Sequence, residues 1–300
     1  MTDEGKMSRA ISKAGAGNRL SAAPEMGTEP PPFPVPKAGP GADEAASSFR
    51  LVRGSCGVPG PTVVMVHDKF GEVASQVRGL RARLLAMNDG RPPRTITVTS
   101  ASREEGKTTL SVNFAIALSE LGEGRVVIVD GDLVAPDIHR LANLSAQTGL
   151  NDVLNEGLKL DGNVYETSVP NLDIIPSRPV QLDGTHEGQL NRDCAALLAE
   201  LRKYYAFVIV DTPPVLAASQ ACTFAKNCDG VILVARLEKT PRDVVRRALQ
   251  ELTLSGANVV GCVLTHRKHH IPNFIYRLFG STPHYYYNYG RSRDKTGKLR

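Results

Sequence analysis

Lys107 and Thr108 follow Gly106 and open a helix-forming run, and this trio carries the plainest chemistry in the chain. A lysine ammonium beside a threonine hydroxyl suits a polyphosphate that arrives with a divalent cation. The ammonium pairs with β- and γ-phosphate oxygens, and the hydroxyl ligates Mg²⁺. Upstream, Thr95, Ile96, Thr97 and Val98 are β-prone; downstream, Leu110, Phe114, Leu118 and Leu121 recur at helical spacing. Strand, small-residue turn, Gly-Lys-Thr and helix together form the setting of a phosphate-binding loop, where backbone N–H groups at a helix N-terminus attract the anion. Ser102, Arg103, Glu104, Glu105, Gly106, Lys107, Thr108 and Thr109 are therefore the candidate nucleotide-binding residues. Ala101 stands where the first glycine of G-x-x-x-x-G-K-[ST] is expected.

Three carboxylates complete the set. Arg125-Val-Val-Ile-Val-Asp130 and Phe207-Val-Ile-Val-Asp211 are apolar without alternation, the pattern of strands buried on both faces, and each ends in an acid. The first continues as Gly131-Asp132. Asp211 reads as the acid that holds Mg²⁺ directly or through water. Asp130 or Asp132 reads as the base that takes the proton of an incoming hydroxyl. This makes Lys107, Asp130, Asp132 and Asp211 the catalytic candidates, and Thr108, Asp130 and Asp211 the metal-holding ones. Any one of these acids alone suits a helix N-cap or a turn equally well. Three of them at strand ends beyond a phosphate loop point to nucleotide hydrolysis or phosphoryl transfer.

The elements that position these groups alternate. A helical stripe runs from Asp68 to Met87 through Phe70, Val73, Val77, Leu80, Leu84 and Leu85, with Arg78, Arg81 and Arg83 beside it. Further strands are expected at Leu172–Ile175, 231–235 and 259–264, and helices at 187–203, 217–226 and 240–255. Strands alternating with helices imply right-handed crossovers and an α/β fold, a doubly wound, mostly parallel sheet with helices on both faces. Ligands of such sheets bind outside the carboxyl ends of the strands, where Ser102, Asp130, Asp132 and Asp211 fall.

The flanks differ in composition. Residues 1–60 are rich in Pro, Ala and Gly and read as a disordered arm; residues 61–275 form the P-loop domain. Residues 276–300 lack apolar periodicity and read as a mobile basic tail carrying Tyr285, Tyr286, Tyr287 and Tyr289. A tail of phenols next to a phosphoryl-transfer site suits a substrate of that site, or else an aromatic surface for a partner or membrane. No run reaches 18 apolar residues, so no membrane-spanning helix is expected. Five scattered cysteines without C-x-x-C spacing read as reduced thiols of a cytoplasmic protein. A net charge of +5 is compatible with anionic partners and selects none of them.

Over residues 68–290 the chain resembles the bacterial tyrosine kinases, the P-loop autokinases of exopolysaccharide and capsule biosynthesis. Val98-Thr-Ser-Ala-Ser with Glu105-Gly-Lys-Thr-Thr109 matches Walker A, and Val127-Ile-Val-Asp-Gly-Asp-Leu133 with Pro136 matches the family's Walker A′. Val208-Ile-Val-Asp-Thr-Pro-Pro-Val215 matches Walker B, Asp229-Gly-Val-Ile-Leu-Val234 follows, and the tyrosine-rich C-terminus closes the match. The resemblance implies binding of ATP and Mg²⁺, A′ acids that activate tyrosine, and autophosphorylation of Tyr285, Tyr286, Tyr287 and Tyr289 between subunits of a homo-oligomeric ring. It also implies a separate transmembrane polysaccharide chain-length regulator as activator and an opposing tyrosine phosphatase. No nucleic-acid partner is expected. The location it implies is the cytoplasm, with recruitment to the inner face of the plasma membrane, and the role is regulation of polysaccharide polymerisation and export.

Several positions depart from the family pattern. Its Glu-x-x-Arg-x-x-Arg subunit-contact motif falls on Ser75, Arg78 and Arg81, without the acid, and Glu72 lies one helical turn away. Arg103-Glu104 replaces Pro-Gly, Val134-Ala135 replaces a basic pair, and Thr265 replaces a nucleotide-contacting Asn. A glutamate at position 104 is strained if the turn needs positive φ. Two other readings fit the residues: a ParA/MinD-like nucleotide-switched ATPase, against which Ser102 replaces the lysine of that class, and a catalytically weak ATP-binding scaffold of the export machinery.

Overall fold

A computed structural model describes residues 49–53, 56–87, 90–155, 157–179 and 187–266. In chain order the elements are α1 (Val64–His67), α2 (Glu72–Leu85), β1 (Thr95–Ser100), α3 (Lys107–Ser119), β2 (Val126–Asp130), α4 (Ile138–Leu141) and α5 (Leu150–Asn155). They continue as β3 (Tyr165–Glu166), β4 (Leu172–Ile175), α6 (Glu187–Tyr204), β5 (Phe207–Asp211), α7 (Ser219–Asn227), β6 (Gly230–Arg236), α8 (Arg242–Leu254) and β7 (Val259–Thr265).

The seven strands lie in the order β3-β4-β2-β5-β1-β6-β7. Every pairing is parallel except β3 with β4. This is the doubly wound sheet expected from the alternation of apolar strands and helices. Successive residues of a strand face opposite sides, so each strand feeds two cores. Ile96, Val98, Val126, Ile128, Ile209 and Ile232 pack with α1, α2 and α3. Val127, Val129, Val208 and Val210 pack with α5 and α6, and Val231 and Leu233 with α7 and α8. Helix α3 is buried nearly all round, Val112 through Leu118 being covered, because α2 lies over the face that the sheet does not. No described helix is long and apolar enough to cross a membrane.

The expected helical stripe from Asp68 is corrected at its start, where Phe70 and Val73 are 92 % and 54 % exposed. The helix starts only at Glu72, after Gly71, and its buried face begins with Ala74 and Val77. Asp68 holds its side chain where a Cβ on Gly71 would stand, so the chain turns there and Phe70 stays outside. The short elements α1, α4, α5 and β3 carried no periodic signal at all; at two to six residues each, tertiary contacts define them.

Residues 49–53 and 56–60, which composition groups with the arm, are joined to the domain. Val52 donates its N–H to Val164 and accepts from Glu166, lengthening the sheet beyond β3, and the Phe49 ring meets Tyr204 edge-on at 5.2 Å. The rest of the arm, and the tail from 276, lie outside the described residues.

Candidate active site

The phosphate-binding loop joins β1, an interior strand paired with β5 and β6, to the N-terminus of α3. Gly106 (φ 88°) turns the chain into the helix in a left-handed conformation. Glu104 shares that region at φ 61°, so the strain expected of a glutamate there is present. Its carboxylate points outward to Lys239 Nζ at 3.0 Å, which keeps it off the inner side of the loop. Arg236 reaches the Glu104 carbonyl at 3.5 Å. Ser102, Arg103 and Glu104 form the exposed outer arc of the loop.

Glu105 behaves differently from its neighbour. It is buried, and its Oε2 accepts the N–H groups of Ala101 (2.9 Å) and Ser102 (3.1 Å). Thr240 donates to its other oxygen, and Thr265 Oγ1 donates to its backbone carbonyl at 2.7 Å. The loop is thus tied through the Glu105 carboxylate to the turn after β6 and through the Glu105 carbonyl to the end of β7. With the Thr265 hydroxyl committed to Glu105, this residue positions the loop.

Lys107 is held over the carboxyl ends of β2 and β5. Its Nζ lies 3.2 Å from Thr108 Oγ1, 3.4 Å from Asp132 Oδ2 and 3.7 Å from Asp211 Oδ2. Burial alone would lower the pKa of the ammonium, but the carboxylates of Asp211, Asp132 and Asp130 outweigh it and hold Lys107 above its ordinary value. Asp130 and Asp211 are paired residues of adjacent strands. Burial raises both carboxyls, Asp130 well above the ordinary range with Asp211 adding to it, while Lys107, Thr108 and Ser111 draw Asp211 back down.

Each acid is oriented by its own partners. Asp130 is fully buried; its Oδ2 accepts the N–H groups of Asp137 and Ile138 at 3.1 Å, and its Oδ1 that of Asp132 at 3.3 Å. Asp132 accepts from Ala135 N–H with Oδ1 (2.9 Å) and turns Oδ2 toward Lys107. Asp211 accepts from Ser111 Oγ through Oδ1 (2.9 Å), while its buried Oδ2 accepts no hydrogen bond. Gly131 is required between the acids. A Cβ there would stand 2.9 Å from the Asp211 carbonyl and 3.0 Å from Phe224, and its N–H already donates to that carbonyl at 2.7 Å.

The candidates Lys107, Thr108, Asp132 and Asp211 therefore gather at one place, with Asp130 behind them. An unfilled carboxylate oxygen beside a threonine hydroxyl is hard oxygen donor chemistry, which fits Mg²⁺. Among the described residues no three His, Cys, Asp or Glu side chains are gathered to hold a metal unaided. Ser111 was not anticipated, although it follows Lys107 by four residues and so lies on the same helical face. Thr240 carried no sequence signal, since only the return of the chain from β6 brings it to Glu105.

Arg78 and Arg81, expected at a subunit contact, are engaged within the chain. Arg78 grips Glu120 at 2.9 and 2.7 Å; Arg81 meets the same carboxylate at 3.2 Å and donates to the Ala117 carbonyl. Tyr285, Tyr286, Tyr287 and Tyr289 lie outside the described residues.

Comparison with known proteins agrees with this geometry. A family model described as an AAA domain matches residues 94–252. The chain is 28% identical over 200 residues to the putative tyrosine-protein kinase CapB of Staphylococcus aureus, covering 66% of this chain and 87% of that one. It is 30% identical to the tyrosine-protein kinase CpsD of Streptococcus pneumoniae serotype 4, over 56% of this chain and 74% of that one. The crystal structure of the chimerical protein CapA2B2 superposes with a TM-score of 0.62 at 27% identity, covering 74% of this chain and 97% of the other.

Proposed function

We propose, for a chain that belongs to the bacterial tyrosine-protein kinases of capsule loci, the activity of an ATP-dependent autokinase acting in capsule or exopolysaccharide synthesis. The observation that carries the reading is Lys107, set within 3.4 Å of Asp132 and 3.7 Å of Asp211 at the mouth of a phosphate loop. We assign the acceptor to the tail phenols Tyr285, Tyr286, Tyr287 and Tyr289.

The loop amides and Lys107 bind and neutralise the β- and γ-phosphates of ATP. Thr108 and Asp211, with Asp130 behind, would hold Mg²⁺, whose charge supports the phosphates during transfer. A phenol oxygen bonds to the γ-phosphorus, the bond from that phosphorus to the β–γ bridging oxygen breaks, ADP leaves, and an aspartate takes the phenol proton. Asp132 suits that last task better than Asp130. Both Asp130 oxygens already accept backbone N–H groups of the following turn, whereas Asp132 Oδ2 faces Lys107 and the site. Glu105 orients the loop and makes no contact with phosphate in this reading.

The partners follow from the same reading. A separate membrane activator of the chain-length-regulator type brings the kinase to the inner face of the plasma membrane, subunits present tails to one another in a homo-oligomer, and a phosphatase resets them. The CapA2B2 chimera, which joins two named components, supports a partnered kinase.

The test is to incubate purified protein with ATP and Mg²⁺, with and without a candidate membrane activator, and map the modified residues. Phosphotyrosine is expected on 285–289 and is lost in Lys107→Ala. Hydrolysis of ATP with an unmodified tail overturns the kinase assignment in favour of a nucleotide-switched ATPase.

A further inference from the structure

A second cavity opens beside the phosphate loop and is not used by the chemistry above. It occupies about 520 Å³ between the turn after β6, helix α8 and the outer strand β7. Arg236, Arg242 and Arg246 stand around it, and Val245, Leu249 and Leu264 form an apolar floor. Leu264 is 57 % exposed on a strand that pairs with β6 on one side and ends the sheet on the other. Arg242 makes no ion pair among the described residues. Arg246 pairs with Asp243 at 2.6 Å, but both side chains lie in solvent, where such a pair is readily exchanged.

Guanidinium groups recognise a phosphate dianion through paired N–H donors, and an apolar floor beneath them accommodates a ring. An aryl phosphate satisfies both features at once; a phosphoserine or free phosphate uses only the first. We infer that this cavity is a docking site for phosphotyrosine, filled by the autophosphorylated tail of the same chain. The described residues end at His266, two residues beyond the floor residue Leu264. Residues 267–300 follow, and at roughly 3.3 Å per residue the stretch from His266 to Tyr285 spans the return easily. Charge is complementary, since phosphotyrosines at 285–289 would meet the arginines. Arg236 also holds the Glu104 carbonyl, so the docked product lies against the loop that made it.

The phosphate is supplied by the kinase activity proposed above, but docking is tested independently with chemically made peptide. A labelled peptide of residues 281–293, with phosphotyrosine at 285, 286, 287 and 289, is titrated by fluorescence anisotropy into the unphosphorylated full-length chain at about 0.15 M salt. The unphosphorylated peptide and one with phosphoserine at the same positions are titrated alongside. The phosphotyrosine peptide is expected to bind at least tenfold more tightly than either. The double variant Arg242→Gln/Arg246→Gln, on an exposed helical face and checked for native circular dichroism, is expected to lose that tenfold while binding ATP-Mg²⁺ as before. Equal affinity for phosphotyrosine and phosphoserine peptides, or undiminished binding to the double variant, overturns the site. A chain that fails to phosphorylate itself yet binds this peptide as expected overturns the kinase reading and leaves the docking site standing.

Discussion

Lys107 is the one cation among three buried acids, and its worth depends on what else enters the site. Without ligand it offsets charge that the fold itself penalises. In the proposed reaction a bound triphosphate would exchange those carboxylate partners for phosphate oxygens, leaving the acids to Mg²⁺ and the proton. Replacing each A′ acid separates their tasks. Asp132→Asn is expected to lower tyrosine phosphorylation by 10²-fold or more with little change in nucleotide affinity, read by comparing single-turnover rate with ATP binding. Asp130→Asn keeps an oxygen for the amides of Asp137 and Ile138, and a loss of rate as large as that of Asp132→Asn would return the proton-accepting role to Asp130. Glu104 carries backbone strain for a pairing with Lys239 that lies in solvent. Glu104→Gly is therefore expected to raise the thermal midpoint of the ligand-free protein by a few degrees, measured by calorimetry. An unchanged or lower midpoint would show that the ion pair matters more than the left-handed φ.

Helix α2 is fastened to α3 by charge as well as by apolar packing. Glu120 caps the end of α3 and collects Arg78 and Arg81, while Arg81 also satisfies a carbonyl of the last turn, where a cation is favoured. The hydrogen bond from Arg78, more than its charge or that of Arg81, holds the Glu120 carboxyl below its ordinary pKa. A depressed folded pKa gives stability that is present above the unfolded value and is lost as pH falls through the folded one. Glu120→Gln should accordingly cost about 1 kcal/mol at neutral pH, a figure kept small because the bridge is partly exposed. The gap between wild type and variant should close below about pH 4. Urea unfolding at pH 7 and pH 3 measures both, and a gap independent of pH would assign the effect to packing. Phe70 and Val73, at the start of this helix, are large apolar side chains left exposed.

At the scale of the molecule, the sheet brings to one edge groups that are strangers in sequence. Asp211 is the clearest case, since its ligand-free state is penalised by burial while one oxygen waits without a donor. ATP-Mg²⁺ binding to the folded chain alone should raise the thermal midpoint in proportion to the logarithm of its concentration. Asp211→Asn is expected to melt at or above the wild-type temperature without ligand and to lose most of the rise that Mg²⁺ contributes with ATP. Thermal shift with ATP in the presence of Mg²⁺ or EDTA reads both effects. A variant that unfolds early without ligand would make Asp211 a structural residue first.

Much of this was legible in the residues. The β-branched runs before Asp130 and Asp211, the helix after Lys107 and the alternation of the two periodicities determined a parallel α/β sheet and the edge where its acids fall. They did so because strand burial and helix amphipathicity are written in local apolar spacing. The motif order likewise located the loop between β1 and α3, and the replacement at Glu104 announced its own strain. Only the tertiary structure decided the rest. It divided Glu104 from Glu105, sending one carboxylate out to Lys239 and the other in to the amides of Ala101 and Ser102. It spent Arg78 and Arg81 on Glu120, left Phe70 outside, and turned Asp132 rather than Asp130 toward Lys107. The pairings of Glu104, Arg78, Arg81 and Asp132 depend on partners 25 to 135 residues away, supplied by crossovers whose geometry no local pattern encodes.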